Sequence, residues 1–240
     1  MKLQSERINM AYTEKFRYER KYLIDAGTAC ILKQRMSHIM FPDSNGDNGQ
    51  YHISSLYFDD IYNTSFYEKQ NGVSSRDKYR VRFYNNSPEI LRLERKHKTG
   101  EMVYKESAAI EQEQFERMCA GDYTFMSKEA APVFERFYAT HVTRQLRPVI
   151  MVDYDRQAYM YPAGNVRITF DSGIKTSAPM SELSFSVIPE DQLILEIKYS
   201  RFIPEVITGL ITGSQFTQQL ALSKFVMSKI ALQGVLSYDR

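Results

Sequence analysis

Lys78, Arg80 and Arg82 occupy every second position of one short stretch, and the residues between them are Tyr79, Val81 and, just beyond, Phe83. Successive side chains of a β-strand point to opposite faces, so this stretch sorts cations onto one face and apolar groups onto the other. The sorting recurs along the chain. In 16–24, Phe16, Tyr18, Arg20, Tyr22 and Ile24 alternate with Arg17, Glu19, Lys21 and Leu23. In 90–98, Leu91 and Leu93 oppose Arg92, Glu94, Lys96 and Lys98; Val166, Ile168 and Phe170 oppose Arg167, Thr169 and Asp171. In 193–199, Leu193, Leu195, Ile197 and Tyr199 oppose Ile194, Glu196 and Lys198. A sheet with one face in water produces such a pattern on any single strand. Here, however, Arg and Lys dominate the charged faces strand after strand, although 31 Lys and Arg are nearly balanced by 29 Asp and Glu over the whole chain.

Eight segments read as strands: 16–24, 51–59, 76–84, 90–98, 102–108, 148–159, 166–170 and 193–199. Thr99-Gly100-Glu101 joins two of them as a short hairpin. The 17 Tyr and 14 Phe favour strands, since their rings pack well on a half-buried pleated face. Helical periodicity marks 28–40, 111–120, 128–145 and 215–232, whereas 42–49 and 175–190 read as loops. In the first of these helices Ile31, Leu32, Arg35, Met36 and Ile39 form one mostly apolar face. Such helices need an apolar surface to cover. If they cover the apolar faces of the strands, the charged faces must turn inward. The expected fold is therefore α+β: an eight-stranded antiparallel β-barrel tunnel with helices packed on the outside, forming one domain over 1–240. An empty lumen of like charges repels itself, and Glu19, Glu94 and Glu196 offset only part of that repulsion. An anion with many charges completes the arrangement. Arginine's planar fork grips two phosphate oxygens at once, and lysine adds a movable point charge.

A net charge of +2 argues against a general nucleic-acid or membrane binder, so any polyanion site must come from arrangement and not from bulk charge. The chain begins with no apolar signal-like run and contains no stretch approaching ~20 apolar residues, which points to a cytoplasmic protein. Cys30 and Cys119 form no CxxC pair and read as small core side chains. His38, His52, His97 and His141 lie on different elements without metal-ligand spacing, and Tyr154 reads as a wall residue.

With these residues in place, the chain resembles the VTC (vacuolar transporter chaperone) domain of the polyphosphate polymerase family, within the triphosphate tunnel metalloenzyme, or CYTH-like, superfamily. The resemblance runs through Arg17-x-Glu19-x-Lys21-Tyr22, Lys78-Tyr79-Arg80-Val81-Arg82 and Leu93-Glu94-Arg95-Lys96 with Lys105. It continues in Tyr154-x-Arg156, Val166-Arg167-Ile168-Thr169, Leu195-Glu196-Ile197-Lys198 and Ser223-Lys224. It implies a tunnel that takes ATP and polyphosphate or tripolyphosphate, with a divalent metal, Mn2+ or Mg2+, assisting transfer of the terminal phosphoryl group. Carried over by motif, the phosphate ligands are Lys21, Arg80, Arg82, Lys96, Lys105, Arg156, Arg167, Lys198 and Lys224. Of these, Lys21, Arg80, Arg82, Lys96, Arg156 and Arg167 are expected to serve the reaction itself. The metal carboxylate is Glu196, with Glu19 the second candidate. Arg17 stands where the superfamily places the first of two alternating glutamates, which favours polymerase-type chemistry over hydrolysis of small triphosphates. The eukaryotic family members carry phosphate-sensing and membrane domains not found here, so export of product would fall to a membrane-protein partner. The competing readings are a tripolyphosphatase or nucleoside triphosphatase, and a non-catalytic polyphosphate-binding module. The sequence leaves the oligomeric state open.

Overall fold

The computed structural model describes residues 16–85, 87–211 and 220–238. Its strands are β1 (Arg17–Asp25), β2 (Phe41–Pro42), β3 (Gln50–Asp59), β4 (Ser75–Tyr84), β5 (Ser87–Thr99), β6 (Met102–Ile110), β7 (Arg147–Tyr161), β8 (Val166–Ser177), β9 (Ser184–Ser186) and β10 (Gln192–Tyr199). Its α-helices are α1 (Ala26–Ser37), α2 (Thr64–Gln70), α3 (Gln112–Cys119), α4 (Pro132–Arg144), α5 (Glu205–Ile211) and α6 (Lys224–Tyr238). Eight strands pair in the order β7-β3-β4-β5-β6-β1-β10-β8, and β8 pairs back onto β7, closing an antiparallel ring. The two-residue β2 and three-residue β9 flank it. Closure leaves no long free edge for another chain to pair with. The narrowest seam is β1 against β6, where only Arg17–Val103 and Tyr18–Met102 are in register.

Local chemistry explains the corners. Asp25 caps α1, its carboxylate accepting from the Thr28 amide at 2.8 Å. Gly100 takes φ +58° in the β5–β6 turn, a conformation that a side chain would strain. Pro132 opens α4 at its first turn, where its missing N–H costs nothing.

The inner and outer faces divide as the alternation predicts. Outside, Leu56, Phe58, Tyr79, Val81, Leu91 and Leu93 pack against Met118 of α3 and Phe134 and Phe137 of α4. Ile168, Phe170, Leu195 and Ile197 pack against Leu32 and Met36 of α1 and Ile207 of α5. The remaining long helix takes a different place. Phe225 and Leu232 of α6 cluster with Ile53, Val152, Tyr154 and Ile194, which point to the inside of the ring. Helix α6 therefore fills the sector bounded by β3, β7, β8 and β10.

Four expectations shift. The segment 175–190 is not wholly a loop: β8 runs on to Ser177 and pairs with β9. A register slip between Asp153 and Asp155, beside Gly173 at φ +58°, resets the alternation and hides the strand's continuation. The last helix begins at Lys224; of the expected 215–232, positions 215–219 lie outside the described residues and 220–223 are not helical. Cys30 is exposed on α1 and is not a core side chain. Along the same helix Ile31 and Ile39 are also exposed, the buried positions being Ala29, Leu32 and Met36.

Candidate functional site

The ring encloses a cavity of about 560 Å³ whose lining includes fifteen Lys or Arg side chains against three Glu. Lys21, Arg80, Arg82, Lys96, Lys105, Arg156, Arg167, Lys198 and Lys224 all line it, as do Glu19 and Glu196. The positions named from sequence are thus brought around one space by seven strands and the start of α6.

Cross-strand register builds the wall. On β4 and β5, Lys78 faces Lys96 and Arg80 faces Glu94; on β5 and β6, Lys96 faces Lys105. Arg80 donates from Nε and Nη2 to Glu94 Oε2 at 2.8 and 2.6 Å and from Nη1 to the Tyr57 hydroxyl at 3.1 Å. Lys105 donates to the other oxygen of Glu94 at 2.8 Å. Glu94 is fully buried, lies beneath the wall and is not part of the lining. Although burial opposes its charge, Arg80, Arg82 and Lys105 hold its carboxyl well below the usual range. Arg92, expected to point inward on the same face, is exposed and outside the lining. It sits opposite Arg82, and the β4–β5 register slips only beyond that pair, before Tyr84 meets Ser87.

Arg82 differs from Arg80. Only 7% exposed, it donates to the Ser55 hydroxyl at 3.3 Å and the Tyr154 hydroxyl at 3.0 Å, and it makes no ion pair among the described residues. Lys78 is in the same position: its ammonium donates to Ser223 Oγ at 2.9 Å. Burial, followed by Lys96 and Lys21, drives Lys78 well below the usual lysine range.

Across β1 and β10 the registers set Lys21 opposite Glu196 and Glu19 opposite Lys198. Lys96 donates to both oxygens of Glu19 at 2.8 and 2.7 Å. Lys21 lies 3.2 Å and Lys198 3.3 Å from Glu196, and each reaches Glu19 at 3.7–3.8 Å. Burial and Glu196 push Glu19 upward, yet Lys96, Lys21 and Lys198 pull it down to about 2. Burial outweighs both glutamates at Lys198 and lowers it to about 7, whereas at Lys21 the pull of Glu196 and Glu19 overcomes burial and raises it. Further round, Arg156 forks onto Asp171 at 2.6 and 2.8 Å, and Lys224 at the start of α6 bonds the same carboxylate. Arg167 donates to Asp43 and to the Tyr51 hydroxyl.

The carboxylates suit one kind of metal. Among the described residues no group of three or more His, Cys, Asp or Glu is placed to hold an ion. Glu19 and Glu196 are two hard oxygen donors on neighbouring strands, held ionised and facing the cavity. Magnesium-like ions commonly bind through one or two carboxylates and complete their shell with phosphate oxygens and water. The donor set fits that arrangement. No histidine lines the cavity.

Sequence reasoning missed Asp171 and Asp43 as counter-ions. Alternation put Asp171 on the inner face, but nothing local tells that its partner is Arg156 on the next strand. Asp43 sits in the 42–49 loop, which carries no periodic signal. None of the described helices is long and apolar enough to cross a membrane.

The model of the family described as the VTC domain matches residues 16–232. A comparison with curated proteins found no match. Among solved structures, a candidate adenylyl cyclase from Hippeastrum with a dominant triphosphatase activity aligns at TM-score 0.57 and 14% identity, covering 90% of this chain and 96% of its own. At that identity the likeness is one of fold. A candidate adenylate cyclase from Bacillus halodurans aligns at TM-score 0.47 and 14% identity, covering 85% of this chain and 96% of its own.

Proposed function

The chain belongs to the VTC domain family, and from that membership and the basic cavity we propose that it is a polyphosphate polymerase, moving the terminal phosphoryl group of ATP onto a growing polyphosphate chain. The observation that carries the reading is Arg82. Its guanidinium, only 7% exposed, bonds hydroxyls and closes no ion pair, because Arg80 and Lys105 already occupy both oxygens of the nearby Glu94, and a buried charge without its own counter-ion is costly. A phosphate arriving between Arg80, Arg82 and Lys78 supplies that counter-ion.

In the proposed reaction a terminal oxygen of the polyphosphate attacks the γ-phosphorus of ATP. The bond from that phosphorus to the β-bridging oxygen breaks, and ADP leaves with the electron pair. Such transfers need little covalent help; positioning and charge neutralisation supply most of the catalysis. Arg80 is anchored on Glu94 and Arg156 on Asp171, so both guanidinium planes are fixed before substrate arrives. Lys21, Lys96, Lys105, Lys198 and Lys224 add point charge around them, and Arg167 adds a further fork. Lys198, paired with Glu196 and reaching Glu19, faces the same space. Glu196, with Glu19 beside it, is the proposed holder of Mg2+ or Mn2+; the ion would supply positive charge against the negative charge that develops during transfer. A reaction fed by ATP places the protein in the cytoplasm.

Incubation with ATP and Mg2+ or Mn2+ tests the reading. The expected products are ADP and a ladder of polymer on a gel. Free phosphate without polymer marks a triphosphatase, and tight binding of polyphosphate without turnover marks a binding module; either result overturns the polymerase reading.

A further inference from the structure

Towards the ends of β4 and β5 that meet the 99–102 turn, the wall changes character. Arg76 and Lys98 face one another in register, Lys69 joins them from α2, and all three line the cavity. Deeper in, Arg80, Lys96, Lys21, Lys198, Arg156 and Lys224 each hold a carboxylate. At this corner no cation does so: among the described residues Lys69, Arg76 and Lys98 make no ion pair, and the guanidinium of Arg76 donates to the Val73 carbonyl. Glu68 lies near enough to attract Arg76, and Glu19 and then Glu101 to attract Lys98, but none of them closes a pair. The three cations feel one another. Burial, then Arg76 and Lys98, lowers Lys69 to about 8, and burial followed by Arg76 lowers Lys98.

The corner also lies outside the sector that the last helix fills. Helix α6 fills the sector of β3, β7, β8 and β10, and Lys78 marks its boundary by bonding Ser223 just ahead of the helix. Arg76 lies four residues from Arg80 along β4, roughly 13 Å away. A short anion engaged by Arg80 and Arg82 does not span that distance, whereas a long one leaving the central site on this side runs over Arg76, Lys98 and Lys69.

We propose that Lys69, Arg76 and Lys98 form a seat for the part of a phosphate chain that extends beyond the phosphates engaged in the centre, so that chain length is read at this corner. The inference rests on the polymerase reading and deepens it, by assigning the side of the cavity on which the polymer lies. Each extra phosphate on the seat neutralises a cation and releases counterions, which gives long chains an affinity that short ones lack and makes it salt-dependent.

The test uses the full chain carrying Lys69→Gln, Arg76→Gln and Lys98→Gln together, with tripolyphosphate and long-chain polyphosphate as separate probes in a binding titration. Removing three mutually repelling charges should leave the melting temperature equal or higher, so the variant folds. Its affinity for tripolyphosphate is expected to stay within about twofold, while affinity for the long chain falls by roughly tenfold or more, with a shallower salt dependence. Equal loss for both probes would place these cations in the central site, and no loss for either would place the chain elsewhere; both overturn the proposal. A parent protein that binds tripolyphosphate with no preference for long chains overturns the seat alone. A parent protein that binds neither probe overturns the polymerase reading and the seat with it.

Discussion

Glu196 repels an incoming phosphate unless something cationic lies between them, and Lys21 and Lys198 are already at 3.2 and 3.3 Å. Two roles are open to it: neutralising those lysines in the empty cavity, or holding a divalent ion once phosphate arrives. Glu196→Gln separates them. If Glu196 holds the ion, the variant should bind tripolyphosphate without metal as tightly as the parent or more so, while metal-dependent turnover drops by at least about a hundredfold. Binding measured without metal, then activity across a metal titration, reads both quantities. A fully active Glu196→Gln protein contradicts the assignment and leaves Glu196 as a structural counter-ion. Residue types on the inner face were legible in the sequence because alternation reports direction. Pairing was not: Asp171 and Arg156 sit on different strands, and only register decides that they meet.

At the scale of elements, the strands announce themselves and the last helix does not disclose where it packs. β4 keeps strict alternation from Lys78 to Phe83, so its inner face can be read directly. α6 is apolar on most sides, a pattern that says buried without saying against what. Its place inside the ring is set by tertiary contacts: Lys224 on Asp171, Lys229 on Asp59 and Asn63, and Phe225 against Tyr57 with ring centroids 5.2 Å apart. Asp171 is the hinge of this docking, because it also holds Arg156. Asp171→Asn removes the charge from a fully buried site and leaves two cations facing one another. The expected loss is about 3–5 kcal/mol, seen as a fall in melting temperature of roughly 6–20 °C for a chain of this size. Lys224→Ala should cost less, since Asp171 keeps Arg156; equal losses in thermal melts would contradict this division of labour.

For the molecule as a whole, the closed ring turns a nearly neutral composition into a strongly basic interior. Acids and bases balance over the chain, yet fifteen cations and three glutamates line the cavity. That segregation stores repulsion, which a polyanion specific to the folded state relieves. The folded state is then stabilised by RT ln(1 + [L]/Kd), about 2.7 kcal/mol at a hundredfold excess over Kd. For a chain of this length that is a rise in melting temperature of roughly 5–11 °C. General screening by salt acts on exposed charges and discriminates little among anions, whereas a wall of forked and point cations prefers linked phosphates. The most direct test is therefore a thermal melt with tripolyphosphate, orthophosphate and sodium chloride at matched ionic strength. A large rise with tripolyphosphate, a smaller one with orthophosphate and almost none with sodium chloride is the result predicted; equal rises with all three would contradict a phosphate-chain site inside the ring.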